Sequence, residues 1–446
     1  MRGKIGYQIF PDRFFNYGNT YENLLDWNEP VRSHENQEYD FYGGTLKGIE
    51  KKIDYLKKLD IDFLYLTPIF KANTNHRYDA VDFKKTDERL GSEEDLISLN
   101  NKLKNSSIEL FLDIALNHTS KYSVLKENPD FYTGKNWADV ENLPELNLEN
   151  NTLKDYLFRN NDSVIKYYMA RGINNWRLDC AYDLGYDFLK ELKDELKKFN
   201  TKIIGEIWSY PKKWTEVTDG IMNYYYYGLI KNLLSGEISG NLFSEILEDT
   251  YKDCGTDIFK CWNMLSSHDT PRIKDVFGNL WKIALTLQFT LPGSPLIYYG
   301  EELGFSGNGD PFCRETMKWE KTKEKNEISD FYKILIHEFK NSEGLNSGDF
   351  IKLYSENKNI IAFERYSEKI RETRFVLINP TDRKTDCIIY TKNSSLMNYS
   401  KIKDVLSGTE LEVFNSYIKA SLPPNFSGIF KIKEEPEKYN FYKRIR

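Results

Sequence analysis

Short apolar runs alternate with segments of helical period from residue 5 to about residue 342. The runs Ile5–Phe10, Phe63–Thr67, Glu109–Ile114, Trp176–Leu178, Lys202–Ile207, Gly220–Asn223, Asn263–Ser266 and Pro295–Tyr299 are short and largely apolar, as strands buried on both faces should be. Between them lie stretches such as Leu46–Leu59, where Ile49, Ile53, Leu56 and Leu59 recur at helical spacing and Lys and Asp fill the opposite face. Eight such alternations predict an α/β fold, a (β/α)8 TIM barrel rather than an open sheet, over residues 1–345. One connection is too long for a simple turn. After the third strand, residues 118–151 run through NPDFYTGKNWADVENLPELN, and loops beyond about 12–15 residues are usually lids or small subdomains. We read it as a lid subdomain inserted over the cleft. From about residue 348 the pattern becomes IIAFERY, RFVLINP, CIIYT and SGIFKIK, short alternating strands with polar turns, which predicts an all-β sandwich domain over residues 346–446. The final EEPEKYNFYKRIR carries no readable pattern.

Four of the apolar runs stop abruptly in charged or polar residues: LFLDIALNH (110–118), NNWRLDCAYD (174–183), IIGEIW (203–208) and MLSSHDTPR (264–272). In a barrel of this kind the carboxyl ends of the strands face one cavity, so these clusters converge there. Arg177 and Asp179 are two apart along a strand and project to the same side. An arginine beside an aspartate favours the ionised form that a nucleophilic carboxylate requires. Glu206 is flanked by Ile204, Ile207 and Trp208, and apolar neighbours raise a carboxyl pKa, which suits a general acid. Asp269 arrives from a third strand beside His268, suited to gripping sugar hydroxyls. An ionised and a protonated carboxyl on adjacent strand ends is the equipment of glycoside cleavage, with about 5–5.5 Å between them for retention of configuration. Each cluster alone has a blander reading. Asp113 could be a turn residue, Arg177–Asp179 a structural ion pair, and His268-Asp269 a loop contact; their joint order is what carries the argument. His34 and His337 belong to no cluster and read as surface or packing residues, and the run Tyr224–Tyr227 as a mixture of core and surface.

Composition narrows the partners. Net charge is −6 from 62 basic and 68 acidic residues, closely interspersed, so no basic stripe points to nucleic acid or an anionic membrane. No apolar run reaches the roughly 18 residues of a membrane span, and the opening MRGKIGYQIF has no signal-peptide core. Five cysteines, at 180, 254, 261, 313 and 387, form no CxxC pair, so neither a disulfide framework nor a zinc site is indicated and a reducing cytoplasm is expected. Aromatic residues make up 15% of the chain; core filling is the first explanation and sugar stacking the alternative, and composition does not separate them.

In order and separation the four clusters resemble the conserved regions of the α-amylase family, glycoside hydrolase family 13. GYQIFPDRF (6–14), YGGTLKGI (42–49), YLTPIF (65–70), NHRYDAVDF (75–83), LPELN (143–147) and GSPLIYYGEELGF (293–305) extend the resemblance over residues 5 to about 320, nearest to the neopullulanase, cyclomaltodextrinase and maltogenic amylase group. The resemblance implies a retaining hydrolase of α-1,4-glucosidic bonds in maltooligosaccharides, cyclodextrins or related short α-glucans. It implies that Asp179 is the nucleophile, Glu206 the acid and then the base, and Asp269 the stabiliser that binds sugar hydroxyls. Arg177 would orient Asp179, His118 and His268 would hydrogen-bond the same sugar, and Tyr78 would stack beneath it. Trp208 joins these as a substrate-binding residue, with Asp113 supporting Arg177.

The chain also departs from that group. Asn174-Asn175 replaces the usual Asp-Gly, Glu145 stands for Lys in the LPxLN segment, and Ser209 stands where relatives often carry His. Thr45 occupies the place of an Asp that helps bind calcium, and RFFNYGNTYEN (13–23) departs from the companion loop, so no cofactor is required and calcium is not expected there. Asn117 reads equally as support for a calcium ion or as a structural hydrogen-bonder. The group's N-terminal β domain, which builds its dimer, does not precede the first barrel strand here, and a monomer is expected. A transglycosylase or trehalose-forming enzyme of the same family is the alternative, and a non-catalytic sugar-binding barrel a remote one.

Overall fold

The structure is a computed structural model and describes residues 2–433. Eight parallel strands close into a barrel: β1 (Gly6–Ile9), β2 (Phe63–Leu66), β3 (Glu109–Ile114), β4 (Asn175–Leu178), β5 (Lys202–Ile207), β6 (Gly220–Asn223), β7 (Trp262–Asn263) and β8 (Ser294–Tyr298). Each strand pairs with the next in sequence, and β8 returns to β1. All eight expected strands are present. The seventh is shorter than its apolar run, because Met264–Ser266 has left the sheet to begin the turn that carries His268 and Asp269. The expected helix over residues 46–59 is two helices, Leu46–Lys51 and Ile53–Lys58, broken where Lys52 takes φ −106°, ψ 8°.

Register explains why the barrel is plugged at one end and polar at the other. Gly6, Phe63 and Glu109 are aligned across β1–β3, and a Cβ on Gly6 would lie 2.1 Å from the Phe63 ring. Phe63 stacks on Trp262 at 4.9 Å, and Phe111 packs edge-on against both rings, so aromatic side chains fill the interior. One layer further along the strands the inward positions become Gln8, Tyr65, Asp113 and Arg177, all fully buried. Asp113 and Arg177 are direct register partners on β3 and β4. Buried polar groups survive only where they satisfy one another, and this layer is the floor of the cleft described below.

Two excursions build the walls. After β2 the antiparallel pair Phe70–Ala72 and Ala80–Thr86 presents a loop carrying His76 and Tyr78. The Asp79 carboxylate pins that loop by accepting the N–H groups of Asn73 at 3.0 Å and Thr74 at 3.3 Å, while Arg77 is buried against Asp87 at 2.8 Å. The long segment after β3 folds as short helical turns and a ribbon of Tyr132–Asn136 with Pro144–Leu146. It is stitched back to the barrel by Leu146 N–H to Asn117 O at 2.8 Å and Thr119 N–H to Pro144 O at 3.2 Å.

Beyond helix Glu327–Lys340 come nine antiparallel strands, β9 (Asp349–Lys352), β10 (Tyr354–Ser355), β11 (Ile361–Tyr366), β12 (Arg374–Asn379), β13 (Thr385–Tyr390), β14 (Lys401–Asp404), β15 (Glu410–Phe414), β16 (Tyr417–Leu422) and β17 (Phe426–Ile432). They form one sheet in the order β9-β11-β12-β17-β14-β15-β16-β13-β10, folded over so that Phe375, Leu377 and Phe430 meet Ile389, Val413 and Ile418 in a core of their own. The outer side of the first half, including Phe363, Val376 and Ile429, joins the barrel's core. Arg365 anchors the contact by donating to the carbonyls of Thr290 and Gly348. EEPEKYNFYKRIR lies outside the described residues.

Candidate active site

A cleft of about 620 Å³ opens at the carboxyl ends of the barrel strands, lined by Tyr78, His118, Asp179, Glu206, Trp208 and Asp269 among others. At its floor Arg177 is fully buried, with Asp113 oxygens at 2.9 and 3.0 Å, Asp179 Oδ1 at 2.7 Å and Glu206 Oε2 at 2.8 Å. The carboxylates of Asp179 and Glu206 each have an oxygen within 4.8 Å of the other and of the Cys180 sulfur. Gly205 lets this happen. The segment after Asp179 packs so closely on β5 that a Cβ at Gly205 would lie 3.0 Å from that of Ala181.

Three carboxylates around one guanidinium leave an excess of negative charge in a buried place. Burial pushes the Asp113 carboxyl up to about 6, with Arg177, Tyr65 and Tyr78 opposing the shift. Burial likewise pushes Asp179 well above the usual carboxylate range, Glu206 and Asp113 adding to it and Arg177 opposing it. Desolvation and the neighbouring carboxylates work against the ionised form of Asp179, and the one shared cation works for it. Trp208 differs from expectation. Its ring is 57% exposed and stacks on Tyr224 at 3.7 Å, and its indole N–H donates to Glu206 Oε1 at 3.1 Å, so it offers Glu206 a polar edge as well as an apolar face.

A second chain of hydrogen bonds fixes the opposite wall. The Gln8 amide donates to His268 Nδ1 at 2.8 Å, which leaves the ring proton on Nε2. Nε2 lies 2.6 Å from the Tyr78 hydroxyl, and that hydroxyl donates to Asp113 Oδ2 at 2.8 Å, beside the Tyr65 hydroxyl at 2.6 Å. Tyr78 is stacked on His268, with centroids 5.5 Å apart. His268 and His76 are held well below their ordinary pKa by burial and then by Arg314, and burial pushes His118 down to about 4. All three rings are neutral near pH 7, and both His118 nitrogens are without a hydrogen-bond partner among the described residues. His118 is capped from the lid by Trp137, whose ring stacks on it at 4.8 Å while its N–H donates to Asp183 at 2.9 Å. Asp269 sits at the rim between His268 Nε2 and Arg314 Nη2, each at 3.2 Å.

The structure therefore gathers Asp113, Arg177, Asp179, Glu206, Tyr78, His118, His268, Asp269 and Trp208 around one cleft. Asn117 stands apart: its buried carboxamide has no hydrogen-bond partner among the described residues, and only its main chain ties barrel to lid. Residues that sequence reasoning did not single out also belong here, namely Gln8, His76, Trp137, Cys180, Asp310 and Arg314. Arg314 bonds Asp310 at 2.9 Å and donates to the His268 carbonyl at 2.8 Å, yet it follows no apolar run and nothing in its local pattern marks it. Glu145, where Lys was usual, is bound within the lid ribbon by Thr133 at 3.0 Å. Among the described residues, Asp179, Cys180 and Glu206 are spaced closely enough to consider a metal, but Arg177 already supplies the positive charge there. Burial and the two carboxylates also push the Cys180 thiol up, away from a ligating thiolate.

Comparison with known proteins gives a consistent picture. The family model described as alpha amylase, catalytic domain, matches residues 8–137 and 126–342. A cyclomaltodextrinase of a Bacillus species is 31% identical over 421 residues, covering 85% of this chain and 73% of the relative. A maltogenic alpha-amylase of Bacillus acidopullulyticus is also 31% identical, covering 88% of this chain and 68% of that protein. Among solved structures, Ttha1563 from Thermus thermophilus superposes with a TM-score of 0.84 at 26% identity, covering 97% of this chain and 99% of its own.

Proposed function

The chain belongs to the alpha-amylase family, and from that premise we propose that it cleaves α-1,4-glucosidic bonds of maltooligosaccharides and cyclodextrins with retention of configuration. Asp179 attacks the anomeric carbon while Glu206 protonates the departing glycosidic oxygen. Glu206, now ionised, then takes a proton from the water that breaks the glycosyl–Asp179 ester. The first step requires Glu206 as the acid and Asp179 as the anion, with Arg177 2.7 Å from Asp179 Oδ1 to support its charge. Asp269 and His268 are placed to bond hydroxyls of the reacting sugar, with the Tyr78 ring beneath it and His118 at the side. One observation carries this reading: carboxylate oxygens of Asp179 and Glu206 within 4.8 Å of each other at adjacent strand ends, the closeness that double displacement requires. Proton NMR of fresh maltoheptaose digests tests it. The α-anomer should appear first, and initial β-product, or tight binding without product, would overturn it.

Transglycosylation is a second reading with its own support. Trp208 and Tyr182, 57% and 59% exposed, line the cleft beside Glu206, where flat rings favour a sugar acceptor over water. Longer oligosaccharides accumulating at high maltose concentration would favour it.

The reading needs no cofactor. At the segment where the sequence departs from the family's calcium-associated pattern, Thr45 Oγ1 is engaged as a helix cap, accepting Gly48 N–H at 2.9 Å. The Asn19 amide nitrogen donates to the carbonyls of Gly43 and Arg89, at 3.2 and 2.8 Å, which supports a loop closed by its own hydrogen bonds. Five unpaired thiols, and a 30% identical relative from Bacillus subtilis named an intracellular maltogenic amylase, support a cytoplasmic setting. No helix among the described residues is long and apolar enough to cross a membrane.

A further inference from the structure

We propose that Cys180 is a positioning residue that ties the two reacting carboxylates together through donors on its side chain and its main chain. Its thiol donates to Asp179 Oδ2 at 3.1 Å, and its backbone N–H donates to Glu206 Oε2 at 3.0 Å. Arg177 bridges the same two carboxylates from the floor with its charge, and Cys180 bridges them from the side with neutral donors. The backbone is bent to allow it: Cys180 sits in the left-handed region at φ 45°, ψ 42°, which a residue with a Cβ adopts only under constraint from its surroundings. A turn at this point could have been made by glycine, which would supply the N–H but no second donor.

The thiol acts on the oxygen that Arg177 leaves free. Arg177 Nη1 bonds Asp179 Oδ1, and Cys180 Sγ bonds Oδ2, so the carboxylate is held at both ends and cannot rotate about its last bond. Burial and the flanking carboxylates push the thiol's pKa up, so it remains a donor rather than becoming a third anion. The charged groups facing Asp179 are Arg177 from its own strand, Asp113 from β3 and Glu206 from β5; the thiol is a neutral donor added to that set. Its loss therefore removes support from the ionised Asp179 without changing the formal charge of the cleft.

This inference rests on Asp179 and Glu206 being the reacting pair, and the test separates the two. With 4-nitrophenyl α-maltoside, Cys180→Ala should lower kcat/KM about tenfold or more, as expected for losing one bond to a charged group. The loss should lie in kcat, and the acid limb of the pH profile should move to higher pH. Cys180→Ser, which restores a donor, should recover most of the rate and return the limb toward wild type. Thermal unfolding of each variant in the full chain accounts for folding effects. Cys180→Ala within twofold of wild type with an unmoved acid limb would overturn the inference. So would Cys180→Ser as impaired as Cys180→Ala at equal stability. Activity surviving in Asp179→Asn would instead defeat the assignment of the reacting pair.

Discussion

Arg177 gathers carboxylates from β3, β4 and β5 around one buried guanidinium, and that single residue sets the electrostatics of the cleft. Lysine keeps the charge but cannot span the same partners. Arg177→Lys should therefore destabilise the protein by about 3–5 kcal/mol, the cost of breaking a buried pair, and remove most of the activity. Urea unfolding beside kcat/KM measures both, and a variant of unchanged stability would contradict the charge balance described above. Cys180 lines the cleft, but its raised thiol pKa makes it a poor nucleophile. Iodoacetamide at pH 7 should label it more slowly than an exposed model thiol, as peptide mass spectrometry would read; rapid stoichiometric labelling would refute this. At this scale the sequence disclosed the groups that end apolar strands, because a charge set directly after a buried run is costly unless a site at the strand end satisfies it. Gln8 and Arg314 were silent, since a polar residue inside YQIF or within a loop carries no such contrast.

The elements divide into those that shape the floor and those that close the top. Gly6 faces Phe63 across the plugged end of the barrel, where a methyl group has no room. Gly6→Ala should cost about 1–3 kcal/mol by overpacking, read as a lowered denaturation midpoint at unchanged KM. The lid contributes Trp137, half-buried over His118 and bonded to Asp183 across the cleft. Trp137→Ala should reduce kcat/KM about tenfold through loss of alignment while leaving thermal stability nearly unchanged. Equal kcat/KM would show that the lid does not order the sugar site. The strands of the barrel were legible from their apolar runs, and the lid from its length. The lid's ribbon was not, because Tyr132–Asn136 is almost entirely exposed and shows no alternation. The seventh strand was overextended for the opposite reason: Met264 and Leu265 are buried outside the sheet, and burial alone does not distinguish the two.

At the scale of the whole molecule, one continuous core joins the barrel to the inner half of the C-terminal sheet, and a second core lies within that sheet. An all-β C-terminal domain was legible in the alternating strands. Its closure by a single folded sheet was not, because strand order depends on pairings distant in sequence. Glu364 lies buried on the β11 face that carries Ala362, turned to the C-terminal domain's own core and bonded by Asn393, and burial pushes its pKa up from 4.5 to about 7. A raised carboxyl pKa means the folded state binds the proton more tightly. Its stabilising contribution is fully present below about pH 4.5 and is lost as pH rises through about 7, on the order of 3 kcal/mol in all. Glu364→Gln should flatten that part of the stability profile between about pH 4.5 and pH 7, and an unchanged pH slope in urea unfolding would refute the assignment.

The pairing of Asp179 with Glu206 on one anomeric carbon is tested most directly by trapping the covalent intermediate. Glu206→Gln, incubated with 5-fluoro-α-glucosyl fluoride, whose leaving group needs no acid, should accumulate one glycosyl adduct per chain. Peptide mass spectrometry should locate it on Asp179. An adduct on another carboxylate, or none while the wild-type chain turns over maltoheptaose, would contradict it.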